Sequence, residues 1–247
     1  MGARRGKRRK MEGLGKKEGV RKMNAKELDA KHCGATPYYT LGEEIANSIT
    51  HGIGACLSLA ALALLVVRAA TRAPDGATAG YVVGYSIFGA SLVTLYLAST
   101  LYHSLARPKA KRVFSILDHS AIHLLIAGTY TGFCLGPMYG WVGWWLFGTI
   151  WALAAIGIVA YAVYERRAQR FSTILYLTMG WFVVLVARQL YESIPTLSWR
   201  LLLWGGIAYT VGCGFFVMKR VRWAHSIWHL FVLAGSVLHF LSLYWAI

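Results

Sequence analysis

The stretch Leu97–His123, LASTLYHSLARPKAKRVFSILDHSAIH, decides how the whole chain reads. Its first residues close an apolar run. Its middle carries Arg107, Lys109, Lys111 and Arg112, and its end opens a second apolar run with Asp118 just inside. Crossing a hydrocarbon layer of about 30 Å takes about 20 residues of helix. The stretch therefore reads as a basic hairpin between two membrane crossings, with Ser99, His103 and Asp118 carried into them from one side.

Working outward, seven runs of spanning length appear: roughly 45–67, 80–104, 114–135, 141–163, 171–190, 200–218 and 224–246. None has the two-residue alternation of an outer-membrane barrel strand. The 247 residues are 57% hydrophobic and only 15% charged, with a mean hydropathy of +0.48. A soluble domain carries about a quarter charged residues. The reading is an all-α membrane protein, a seven-transmembrane helix bundle.

Loop charge sets the expected orientation. Besides the hairpin, Arg166, Arg167 and Arg170 separate spans four and five, and Lys219, Arg220 and Arg222 separate spans six and seven. The alternate loops are poorer: Arg68 and Arg72 with Asp75, none near Pro137, and Arg188 with Glu192. The alternation predicts a cytoplasmic N-terminus and an outside C-terminus, in the plasma (inner) membrane.

The formal charge of +16 splits evenly, because residues 1–40 hold 12 Lys/Arg against 4 Asp/Glu. Residues 1–42 read as a basic, disordered cytoplasmic tail and 43–247 as the membrane domain. The tail lacks the apolar stretch of a cleavable signal peptide. It is expected to meet anionic lipid headgroups rather than nucleic acid. Cys33, Cys56, Cys134 and Cys213 form neither a zinc knuckle nor a disulfide framework. Gly80 and Gly84, and the group Gly205, Gly206, Gly212 and Gly214, read as close helix packing.

Polar groups inside the spans carry the functional reading. A carboxylate at a helix centre costs about 2.5–3.5 kcal/mol on insertion scales, so Asp118 needs compensation. With the topology above, Ser99 and His103 end span two, Asp118 begins span three, and His225 and His229 begin span seven, all at one face. His225 and His229 are i and i+4 and share a helix side. With His103 they make a three-histidine set, which for zinc leaves a fourth position for water, the catalytic pattern. Zinc lowers the pKa of that water to about 7. Asp118 would orient the water or take its proton, and Ser99 would assist or hydrogen-bond a substrate carbonyl. The competing explanation is that these histidines only hydrogen-bond to neighbouring helices.

The other histidines test the set. His119 points about 100° away from Asp118 and reads as a supporting or loop-facing group. His123 reads as packing. His239 lies about 21 Å along the helix from His225, too deep to share a metal. Glu44, Asn47 and His51 form an i, i+3, i+7 stripe that either supports the site or packs the bundle.

The segments STLYHS (Ser99–Ser104), LDHSAIHLLIAGTYT (Leu117–Thr131), HSIWHLFVLAGSVLHF (His225–Phe240) and EEIANSITHGIGA (Glu43–Ala55) together resemble the hemolysin III family, within the progestin and adiponectin receptor superfamily. The resemblance covers residues 43–247. It implies a seven-helix bundle with a cytoplasmic N-terminus and a zinc ion on His103, His225 and His229, with Ser99 and Asp118 at the family's serine and aspartate. His123 departs from the aromatic or aliphatic residue expected there.

Two kinds of function follow. One is a zinc-dependent hydrolase of a membrane lipid amide or ester, ceramidase-like, acting through metal-bound hydroxide. The other is a non-enzymatic receptor-like, membrane-remodelling or cytolytic protein whose zinc is structural. A pore would show a continuous polar stripe, which no span has. A retinal Schiff base would need an intramembrane lysine, and the seven runs have none.

Overall fold

The computed structural model describes residues 39–218 and 221–247. The expected basic tail lies, apart from its last four residues, outside them, as do Lys219 and Arg220. Among the described residues eight α-helices follow in order: α1 (Leu41–Arg72), α2 (Thr78–Ser104), α3 (Pro108–Cys134), α4 (Trp141–Tyr164), α5 (Gln169–Trp181), α6 (Ala187–Ser193), α7 (Thr196–Val217) and α8 (Ala224–Tyr244). A 3₁₀ segment, Phe182–Val186, joins α5 to α6, and together they make one crossing. Among the described residues seven segments are long and apolar enough to cross a bilayer, in the seven places read from the sequence.

Helix α1 starts earlier than the apolar run because its first turn is capped. Thr40 Oγ1 accepts the backbone N–H of Glu43, and Glu43 Oε2 accepts that of Thr40. This capping box is the pattern T-x-x-E. Pro108 begins α3 at a position whose N–H has no helical partner in any case.

Packing follows chain order around the bundle: α2 lies between α1 and α3, while α8 closes against α1 and α7. The expected glycine contact on α2 is present. A Cβ on Gly80 would sit 2.3 Å from the Leu135 carbonyl oxygen, and one on Gly84 2.9 Å from that of Thr131. On α7 the expectation holds for half the group. Gly205 and Gly212 abut His239 and Trp228 on α8, whereas Gly206 and Gly214 have no such neighbour within 4 Å.

The break in the fifth crossing has a local cause. The Tyr130 hydroxyl of α3 accepts the N–H of Val183 at 2.8 Å and donates to the Met179 carbonyl at 2.8 Å. A side chain inserted into the helical ladder diverts its hydrogen bonds and tightens the turn. At the bundle end where α1 finishes and α8 finishes, Arg68 donates to the carbonyls of Tyr244 and Ile247, and Tyr85 donates to that of Leu243 at 2.6 Å. The opposite end, where α1 begins, α2 ends and α8 begins, carries the polar cluster.

Candidate metal centre

His103 sits in the last turn of α2; His225 and His229 occupy the first two turns of α8. One ring nitrogen from each comes within 4.8 Å of the others. The ring centres of His103 lie 5.3 Å from His225 and 5.0 Å from His229, and those of His225 and His229 lie 4.6 Å apart. His229 and His103 are buried; His225 is half-buried.

Helix α1 contributes none of these three imidazoles yet surrounds them. The His229 Nδ1–H points at the Asn47 carbonyl, 3.3 Å away, and at Thr50 Oγ1, 3.4 Å away. A carbonyl oxygen only accepts, so the proton sits on Nδ1 and the Nε2 lone pair is left for the cluster. Ser226 donates to the Asn47 side-chain oxygen at 2.6 Å. His51 stacks on His229, with ring centres 3.5 Å apart and planes 11° from parallel. His103 Nδ1 lies 2.6 Å from Glu44 Oε2, and Lys111 Nζ 2.8 Å from Glu44 Oε1. The stripe Glu44, Asn47 and His51 thus meets the cluster along its length, which the sequence had left open.

Glu43 holds the other side. Its Oε1 accepts the backbone N–H of Trp223 at 2.8 Å. Trp223 has φ +64°, the left-handed region that costs a bulky residue roughly 1–2 kcal/mol. The clasp fixes the entry into α8 two residues before His225.

Tyr39, immediately before the Thr40 cap, covers the cluster. Its ring centre lies 4.8 Å from His225 and 5.9 Å from His103. Burial first, then the nearby charges, Asp118 among them, hold its phenol well above the ordinary range, so it stays protonated. Asp118 is buried nearly three turns into α3 with an oxygen 3.6 Å from His119 Nδ1, and it stands outside the three-nitrogen group. Ser99, fully buried one turn below His103, has no hydrogen-bond partner for its hydroxyl.

The remaining histidines separate. His119 turns to α4: its ring lies flat on Tyr161 at 4.6 Å and its Nδ1–H donates to the Ser115 carbonyl at 2.8 Å. It is not loop-facing. His123 is fully buried against Gly157 and Tyr176. His239 lies far along α8 with Nε2 3.2 Å from the Leu202 carbonyl, apart from the cluster as expected.

The donor set fits a divalent ion. The Nε2 atoms of His225 and His229 face each other at 3.1 Å, and the buried Nε2 of His103 has no hydrogen-bond partner. Ligand nitrogens at 2.0–2.1 Å from a tetrahedral zinc stand roughly 3.3 Å apart. The α8 pair is near that spacing, and a set within 4.8 Å closes by a shift of at most about 1.5 Å. Nitrogen-rich ligation suits zinc and the later transition metals over magnesium or calcium.

Sequence reading passed over Glu43, Tyr39, Lys111 and Trp223. The T-x-x-E pattern at Thr40 was the available signal for Glu43. The sequence puts Lys111 between two spans; it lies in the first turn of α3 and reaches the Glu44 carboxylate.

An apolar cavity of about 220 Å³ lies within the bundle, lined among others by Leu125, Tyr130, Leu202, Tyr209, Trp228 and His239.

Residues 39–240 match the family described as Haemolysin-III related. The chain is 48% identical to Hemolysin-3 of Bacillus cereus over 198 residues, 80% of this chain and 89% of that protein. It is 46% identical to the Hemolysin-3 homolog of Bacillus subtilis (strain 168) over 202 residues, 82% and 93% of the two chains. It is also 29% identical to the human monocyte to macrophage differentiation factor over 168 residues, 64% and 68% of the two.

Proposed function

Starting from the premise that this chain belongs to the hemolysin III family, within the progestin and adiponectin receptor superfamily, we propose that it is a zinc-dependent hydrolase of a membrane lipid amide or ester. The observation that carries the reading is the convergence of three imidazole nitrogens from helices 122 positions apart in sequence. His103, His225 and His229 would hold the ion. Bound there, it would acidify water and polarise a carbonyl.

The remaining chemistry belongs to the side chains. The Asp118 carboxylate accepts the proton that the attacking water loses and returns it to the leaving group. The unpartnered Ser99 hydroxyl donates to the substrate carbonyl oxygen as charge develops there. The protonated Tyr39 ring covers the cluster and limits bulk water. The apolar cavity takes the acyl chain of the lipid. The loop charges support a site at the cytoplasmic leaflet of the plasma (inner) membrane, where the basic tail would meet anionic headgroups.

The test is Asp118→Ala in purified protein, with metal content and lipid hydrolysis measured together. The expected outcome is retained zinc with turnover reduced by about 10²–10⁴. A variant that keeps both metal and the protein's cellular effect returns the structural-zinc reading, in which the ion only ties α2 to α8.

A further inference from the structure

We infer that Glu44, braced by Lys111, is the positioning residue that sets His103 as a metal ligand. The inference rests on the metal-centre reading above and deepens it. Three helices meet at one carboxylate: Glu44 from α1, His103 from α2 and Lys111 from α3. The two carboxylate oxygens are divided between the partners. Oε2 takes the His103 Nδ1–H at 2.6 Å and Oε1 takes the Lys111 ammonium at 2.8 Å.

An ionised carboxylate accepts only, so the His103 proton is held on Nδ1 and the Nε2 lone pair is turned inward. That Nε2 is buried and has no hydrogen-bond partner, as a ligand atom awaiting an ion would be. A metal-ligating histidine whose second nitrogen donates to a carboxylate gains orientation and basicity. The outer contacts of His229 and His103 differ in kind. His229 leans on a neutral carbonyl at 3.3 Å, whereas His103 has a charge-assisted bond at 2.6 Å. His103 is the ligand that comes alone from its helix, so it depends most on an outside constraint. Lys111 keeps Glu44 from swinging away: its side chain is 13% exposed and that of Glu44 16%, so the pair is largely withdrawn from water.

An ion pair that merely stitched α1 to α3 would need Lys111 and one oxygen. It would not predict that changing Glu44 alters a metal bound across the α2–α8 junction. The experiment is zinc affinity of the full chain in detergent or nanodiscs, by chelator competition, for wild type, Glu44→Ala, Glu44→Gln, Lys111→Met and His225→Ala/His229→Ala. Visible absorption of the cobalt-loaded forms and melting temperature in excess chelator are recorded alongside.

Glu44→Ala is expected to weaken zinc binding about 10–100-fold. Glu44→Gln keeps an oxygen acceptor and recovers part of that loss, with shifted cobalt bands. Lys111→Met loses less than Glu44→Ala, and the two changes together lose no more than Glu44→Ala alone. If Glu44→Ala does not fold, Glu44→Gln decides: unchanged affinity and an unchanged cobalt spectrum overturn the inference. So does a Glu44→Ala affinity within threefold of wild type when melting temperatures in chelator are equal. Wild type binding no more zinc than His225→Ala/His229→Ala is a different failure; it removes the metal reading itself and the positioning role with it.

Discussion

Two histidine pairs with the same i, i+4 spacing meet opposite fates in this bundle. On α8, the Nε2 atoms of His225 and His229 face each other at 3.1 Å and a third imidazole joins them. On α3, His119 and His123 diverge: one lies on Tyr161, the other is wedged against Gly157. Spacing puts two rings on one helix side but does not choose their partner. The neighbour decides. α8 faces the polar stripe Glu44, Asn47 and His51 of α1, whereas α3 presents its pair to an aromatic and a glycine.

The comparison breaks most sharply if the pairs are exchanged in role. His225→Ala/His229→Ala should abolish stoichiometric zinc, while His119→Ala/His123→Ala should leave it within twofold. Elemental analysis of the two purified variants checks this. Next in size, Ser99→Ala should keep zinc and lower lipid hydrolysis by about 10²-fold, the scale of one lost oxyanion donor; a steady-state lipid assay reads it.

The α3 pair should respond in stability rather than in metal. A Cβ on Gly157 would meet His123 Nε2 at 2.1 Å, so Gly157→Ala should destabilise the bundle by about 1–3 kcal/mol. Because the two sites touch, adding His123→Ala should cost less than the sum of the single changes. Thermal unfolding in one detergent compares the four proteins. The smallest effect is expected at the cover of the centre. Tyr39→Phe keeps the ring and should leave zinc retention unchanged, whereas Tyr39→Ala should let a chelator strip the ion faster, measured as the rate of zinc loss.

The crossings were legible because hydrocarbon thickness demands length and apolarity, and both are local properties of a sequence. The three-helix meeting point was legible because topology converts position along a span into depth: His103, His225 and His229 fall at one level once the crossings are directed. What escaped lies at the membrane boundary. Glu43, Lys111 and Trp223 sit where a hydropathy window sees a loop, although each belongs to a capped turn, a first helical turn or a clasped linker. The 3₁₀ break in the fifth crossing escaped as well, because its cause is the Tyr130 hydroxyl 49 positions upstream of Met179. The fates of the two histidine pairs could not be told apart by spacing at all.

The clasp between Glu43 and Trp223 also bears on biogenesis. Synthesis proceeds from the N-terminus, so α1 and α2 enter the bilayer long before α8 emerges. A nascent chain stalled ahead of Ala224 would expose Glu43, Glu44 and His103 with no counterpart from the last helix. Arrival of that helix delivers His225 and His229 and closes the Glu43–Trp223 clasp in one event, so the polar cluster is complete only once the last helix is in place.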